Sequence, residues 1–239
     1  MTNVVAINGS PKAEKGYTEK ILNPFLEGMT DAGAEVDKYY VVRLNIKPCT
    51  GEFICWNAKP GTCHIKDDMQ TLYPKLRQAE VLVLATPVYI PLPGEMQNFM
   101  NRLCPLFEPY LSFKEGRTRA IFRSDVKISK VALVSTGGWW EIGNFGTVLR
   151  IAKELAADAS VKFAGALLRP HSDELDVNKK KAKEIYDASK KAGFDLISRG
   201  RIKRATLEII SQPLISEEEY RRANNDSLNR RKTQRGNNL

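Results

Sequence analysis

Two unbroken apolar runs, Val81-Leu82-Val83-Leu84-Ala85 and Val131-Ala132-Leu133-Val134, most constrain what this chain can fold into. A strand with one face in water alternates apolar and polar residues. A run without alternation is a strand buried on both faces, the situation of a parallel sheet covered by helices above and below. Parallel neighbours cannot be joined by a tight turn, so a helical crossover must separate them. The chain supplies the crossovers. Residues 18–32 carry Ile21, Leu22, Phe25, Leu26 and Met29 at helical spacing, with Pro24 bending the helix and Gly33 ending it. Asp67-Asp68 opens a helix with Met69, Leu72, Tyr73 and Leu76 as its apolar stripe, and the acidic pair sits where the helix dipole favours it. Residues 96–106, 145–157 and 177–197 read as three more helices, the last Lys-rich with a solvated face. Further strands are predicted at residues 4–7, 35–44 and 161–168, with one short strand in the excursion 109–128. Five strands alternating with helices predict an α/β protein: an open five-stranded parallel sheet with helices on both faces.

A chain of 239 residues with 42% hydrophobic content can bury one such domain. The expected boundary lies near residue 200: a domain over 1–200, then a C-terminal helical, basic arm or partly disordered tail over 201–239. From Arg199 onward ten Lys/Arg face five Asp/Glu, so over half of the formal net charge of +9 belongs to that segment. The surplus is thus local. Without a motif that interleaves aromatics with the basic residues, it argues against a nucleic-acid binder, the alternative from another functional class. No apolar run approaches the ~20 residues of a membrane span, and the first residues pass straight into a strand, so no membrane partner and a cytoplasmic location are expected.

In open parallel sheets ligands sit beyond the carboxyl ends of the strands, where strand order reverses. Three loops should converge there. The first, Asn8-Gly9-Ser10-Pro11-Lys12 leading to a helix near Tyr17-Thr18, is an anion cradle. Its helix start offers unpaired N–H groups, Ser10 and Thr18 offer hydroxyls, and Lys12 a cation. It is neither a Walker loop nor a GxGxxG fingerprint. The second loop, from Thr86 to Gly94, is apolar, stiffened by Pro87, Pro91 and Pro93, and carries Tyr89. The third, Thr136-Gly137-Gly138-Trp139-Trp140, sets two glycines beside two aromatic planes, with Trp139 expected near the ligand. A phosphate cradle joined to a flat aromatic slot suits a phosphorylated planar cofactor, and FMN is the natural candidate.

These stretches resemble the flavodoxin-fold, FMN-binding NAD(P)H-dependent oxidoreductases, in particular the branch containing the iron-sulfur flavoproteins. The resemblance runs from Val4 to about Leu168, and more weakly over Ile209–Tyr220. It is carried by Asn8-Gly-Ser-Pro-Lys12, by Pro48-Cys49 through Met69, by Thr86-Pro-Val-Tyr89 with Met96 and Asn101-Arg102, and by Ser135-Thr-Gly-Gly138 with Asn144-Phe145. It implies a flavodoxin-like sheet and FMN bound through Ser10, Lys12, Tyr17 and Thr18 at the phosphate. Pro87, Val88, Tyr89 and Ile90 would lie along the ribityl chain and one side of the ring system, and Thr136, Gly137, Gly138 and Trp139 at the pyrimidine end. Tyr17 stands where the family has Asn, and Gly137 where Cys is frequent.

The implied activity is hydride transfer from NAD(P)H to FMN and onward to a small-molecule or protein acceptor. The alternative within the flavin class is an electron carrier reduced by a protein partner. No side chain needs to act as acid or base, so no catalytic residue is assigned. The resemblance also implies a homodimer or higher homo-oligomer. Cys49, Cys55 and Cys63 look like three of the four cluster ligands of the iron-sulfur branch, with Glu52 at the fourth position. A carboxylate in that place argues against a four-iron centre, and the spacing with His64 lacks the paired pattern of zinc sites, so no metal ligand is assigned. Cys104 reads as a packing residue, and His64 and His171 as lone surface or loop histidines.

Overall fold

The computed structural model describes residues 1–236, with side chains up to residue 230. Strands β1 (Asn3–Asn8), β2 (Glu35–Tyr40), β3 (Val81–Pro87), β6 (Lys130–Thr136) and β7 (Lys162–Arg169) form one parallel sheet in the order β2-β1-β3-β6-β7. A separate hairpin pairs β4 (Ser112–Lys114) with β5 (Arg117–Arg119). Without the hairpin this is the flavodoxin-like order. Strand order reverses at β1, whose two neighbours in the sheet follow it in opposite directions.

Side chains alternate across the sheet and build two cores. Val4, Ala6, Val81, Val83, Ala132 and Val134 face helices α1 (Tyr17–Asp31) and α5 (Lys179–Arg199), while Val5, Ile7, Leu82, Leu84, Val131 and Leu133 face α2 (Met69–Gln78), α3 (Gly94–Asn101) and α4 (Gly146–Asp158). The closest approach is between α1 and α5. A Cβ built at Gly28 would stand 1.8 Å from the Lys190 carbonyl oxygen, and one at Gly193 would stand 1.9 Å from that of Phe25. Backbone meets backbone there, so only glycine fits. Helix α6 (Arg204–Ser211) follows the left-handed cap at Gly200 and buries Ile210 in the α1/α5 core, with Leu214 beyond it; α7 (Glu217–Gly236) closes the described chain.

Several local boundaries differ from the sequence expectation. The second strand stops at Tyr40, because Val41 turns under the sheet edge into the core. Helix α3 stops at Asn101, and a short 3-10 turn around Pro105 follows, since proline has no N–H to continue the ladder. The excursion holds two strands, not one, joined through Glu115 and Gly116 at φ +52° and +75°. No helix among the described residues is long and apolar enough to cross a membrane.

Candidate functional site

The strand-end loops are locked to one another by hydrogen bonds. Gly9 N–H donates to the Ala85 carbonyl at 2.7 Å, Val88 N–H donates to the Thr136 carbonyl at 2.8 Å, and the hydroxyls of Thr18 and Thr136 lie 2.8 Å apart. The loops after β1, β3 and β6 therefore share one floor, at the switch point where an open parallel sheet binds ligands. Above it lies a cleft of 290 Å³ lined by Val88, Tyr89, Ile90, Gly137, Gly138, Trp139, Asn144 and Phe145. Its walls are largely apolar and open. Ile90 is 99% exposed and Trp139 72%, so these side chains lie free at its rim.

The first loop is held from below. Asn8 accepts from the Ser10 N–H at 2.8 Å through its side-chain oxygen and donates to Glu19 at 2.7 Å through its nitrogen. Glu19, buried at the third position of α1, also accepts from Tyr40 at 2.6 Å and pairs with Lys38. Ser10 is buried, its hydroxyl accepting from the Lys12 N–H at 3.3 Å, and Lys12 is exposed. A Cβ at Gly16 would stand 2.5 Å from the Ser10 hydroxyl oxygen, so this glycine gives the serine its room. Beyond it the N–H groups of Tyr17 and Thr18 open α1 before the intrahelical ladder begins. The arrangement is an anion cradle with a rigid base.

Among the residues named from sequence, Val88, Tyr89, Ile90, Gly137, Gly138 and Trp139 line the cleft. Thr18 and Thr136 are buried in the floor beneath it, and Pro87 ends β3 beside them. Tyr17 is turned outward: its hydroxyl donates to Asp176 at 2.9 Å, and burial together with that carboxylate pushes its pKa up to about 12. Only its backbone N–H remains at the cradle. Gly137 leaves little space for a side chain, because a Cβ there would meet the Phe145 ring at 3.1 Å. Asn144 and Phe145 join the cleft from the turn before α4, and Asn8 and Glu19 support the cradle. Their only signal in sequence is membership of the quoted motifs for Asn8, Asn144 and Phe145, and a first-turn acid for Glu19.

The rear of the third loop rests on the chain's last segment. Trp140 turns away from the cleft, donates to the Ile215 carbonyl at 3.1 Å and stacks on His171 with 6.0 Å between ring centroids. Of the surface or loop position expected for it, His171 takes a buried loop, 1% exposed between β7 and the 3-10 turn Ser172–Asp176. Its Nε2 receives the Leu214 N–H at 3.1 Å and lies 3.1 Å from an Arg169 guanidinium nitrogen. Both are donors, so Nε2 carries no proton and the ring hydrogen sits on Nδ1. Burial, then the charge of Arg169, lowers the His171 pKa to about 4. Arg169 is itself fully buried and satisfied by the carbonyls of Pro170, Ile210 and Gln212.

The cysteine loop is clamped by a buried ion pair. Arg102 reaches Asp67 at 2.5 and 3.0 Å and also donates to the Lys47 carbonyl at 2.8 Å. Burial alone would raise the Asp67 carboxyl. Arg102 and the N–H groups of Lys47 and Met69 override it and hold the group below its usual range. Burial and the neighbouring Cys55 thiol push Cys104 up to about 12. Glu52 accepts from the Thr50 hydroxyl and faces His64 at 3.6 Å. Among the described residues, no group of three or more His, Cys, Asp or Glu side chains is disposed to hold a metal ion.

Comparison with known proteins agrees with this geometry. A family profile described as NADPH-dependent FMN reductase matches residues 2–141. An iron-sulfur flavoprotein of Archaeoglobus fulgidus is 31% identical over 130 residues, covering 54% of this chain and 58% of that protein. One of Methanosarcina thermophila is 33% identical over 106 residues, 44% of this chain and 50% of the relative. The chain spans about half the length of these curated relatives. Among solved structures, an FMN-dependent NADH-azoreductase from Bacillus anthracis superposes with a TM-score of 0.59 at 12% identity, covering 82% of this chain and 100% of that one. An NAD(P)H:quinone oxidoreductase from Methanothermobacter marburgensis gives 0.57 at 14%, covering 82% and 96%. At such identities the superpositions show the fold alone.

Proposed function

Because the chain belongs to the NADPH-dependent FMN reductase family, we propose that it is an FMN-dependent oxidoreductase that uses NAD(P)H as hydride donor and a quinone, flavin, metal ion or protein as acceptor. The observation that carries this reading is the interlocking of three strand-end loops, through Thr18, Thr136 and Val88, under one open apolar cleft. The residues fit FMN. Gly16 keeps the space beside Ser10 free, and the N–H groups at the start of α1 with Lys12 provide for a phosphate. Val88, Tyr89 and Ile90 face Gly137, Gly138 and Trp139 across a slot suited to a planar ring. The chemistry that FMN supplies when bound is hydride acceptance and onward electron delivery.

The protein's part is binding and orientation. Its locked loops would hold the ring, and the open rim at Ile90 and Trp139 would admit a donor and an acceptor in turn. A homodimer and a cytoplasmic setting belong to the same reading. Tyr110, Leu111 and Phe113, 77%, 66% and 80% exposed beside the β4/β5 hairpin, support self-association.

Anaerobic mixing of the FMN-loaded protein with NADPH and NADH tests the proposal. Bleaching of the flavin absorbance by either nucleotide is expected. Reduction only by a protein donor would replace this reading with that of an electron carrier, and a colourless protein that takes up no added FMN would remove both. Ser10→Ala is expected to weaken FMN binding about tenfold, the worth of one hydrogen bond to a charged group.

A further inference from the structure

Three consecutive carbonyls beyond β6 are tied to one side of their loop. Gly137 accepts from the Ser172 N–H at 3.0 Å and Trp139 from the His171 N–H at 2.8 Å. Between them the Gly138 carbonyl accepts from the Tyr220 hydroxyl. A trans peptide plane points its N–H opposite to its C=O. Fixing the Gly137 and Gly138 carbonyls toward the β7 side therefore turns the N–H groups of Gly138 and Trp139 the other way. Both residues line the cleft there, across from Val88 and Tyr89.

The Gly137 bond is backbone to backbone and does not depend on any side chain. The Gly138 bond depends on one phenol, 82 residues further along the chain. Packing adds little restraint at that residue, because nothing lies within 4 Å of a Cβ built at Gly138. The phenol is firmly seated. Tyr220 is 8% exposed and its ring lies 5.8 Å from that of His171. A reciprocal capping box fixes the first turn of its helix: Ser216 N–H donates to the Glu219 carboxylate at 3.0 Å, and Glu219 N–H donates to the Ser216 hydroxyl at 3.3 Å. The Asp173 and Glu174 carboxyls and the Asn224 side chain also stand beside the phenol, and burial raises the pKa of both carboxyls.

We propose that Tyr220 is a positioning residue for the flavin: its hydroxyl holds the Gly138–Trp139 peptide with the N–H toward the cofactor's pyrimidine end, and so favours reduced over oxidised FMN. This rests on the FMN reading given above. Reduction adds negative charge to the pyrimidine end, and a fixed N–H dipole aimed there stabilises the reduced form more than the oxidised one. Without the phenol the peptide is free to turn, and an acceptor can replace the donor.

The test is Tyr220→Phe, which keeps the ring packing and removes the hydroxyl. Dissociation constants for oxidised and for anaerobically reduced FMN, and the two-electron midpoint potential, are measured on the variant and the parent. Affinity for reduced FMN is expected to fall about tenfold relative to oxidised FMN, equivalent to a midpoint lower by about 30 mV. With FMN bound, the Trp139 amide should also exchange faster with solvent deuterium. Loss of folded protein scales both constants alike and cancels in their ratio, so an unchanged ratio with an unchanged potential overturns the proposal and leaves the flavin reading intact. Should Tyr220→Phe yield no soluble protein, Ser216→Ala loosens the same helix start. A fall of about threefold in the ratio is then expected, and no change again overturns the proposal. A parent protein that takes up no FMN overturns the flavin reading itself, and this inference with it.

Discussion

Exchanging His171 for glutamine isolates one titration beneath the third loop. The imidazole is buried with Nε2 receiving the Leu214 N–H, beside the Arg169 guanidinium at 3.1 Å, while Lys181 adds a further positive field. Every charged neighbour that acts on it opposes a second proton. Its pKa falls from 6.5 to about 4. Between these values the unfolded chain binds the proton and the folded chain does not, so the stability is fully present above pH 6.5 and is lost as the pH falls toward 4. For that pair of values, lowering the pH from 7 to 5 removes about 2 kcal/mol. A glutamine amide oxygen can accept at the Nε2 position and does not titrate. Urea unfolding of both proteins at the two pH values should therefore show the parent losing about 2 kcal/mol more than His171→Gln. The comparison removes the carboxylate titrations that both chains share. Parallel losses in the two proteins, or an imidazole titrating near 6.5 in the folded parent by NMR, would refute the reasoning.

Other perturbations have equally definite outcomes. Gly193→Ala places a Cβ 1.9 Å from the Phe25 carbonyl and must part α1 from α5, so a loss of about 3 kcal/mol and a fall of about 6–12 °C in Tm are expected by calorimetry. Arg102→Ala leaves the Asp67 carboxylate buried without its partner, and denaturant titration should register a loss of about 3–5 kcal/mol. Gly16→Ala drives a methyl group into the Ser10 hydroxyl; fluorescence titration should show FMN binding weakened at least about tenfold, while an unaltered affinity would detach the cradle from the cofactor. With a thiol reagent at pH 8, the exposed Cys49 should react first. Cys55, Cys63 and Cys104 should lag, because burial raises Cys55 and Cys104 and covers Cys63.

The sheet was legible because its signal is periodicity. Strands β3 and β6 lie in the middle of the sheet with both faces covered, and their sequences show it as apolar runs without alternation. Their loops were legible for a related reason: glycine and proline cluster where strands end. The hairpin after Leu111 was not fully legible, since Ser112, Phe113 and Lys114 are exposed and carry no burial pattern. Helix α6 was hidden inside a segment whose basic charge marks it as a tail, although Ile210 and Leu214 are core residues.

The sequence by itself determined the α/β layering and the three strand-end loops, because burial period and turn chemistry are local properties of the chain. Only the tertiary structure decided what stands behind those loops. It turned the Tyr17 hydroxyl to Asp176, carried Trp140 away from the cleft onto His171, and brought Tyr220 to the Gly138 carbonyl. The partners in these three contacts lie 159, 31 and 82 residues apart. Such pairings arise when α5 and α6 dock on the α1 face of the sheet, and docking depends on how whole faces fit, which no local stretch of sequence encodes.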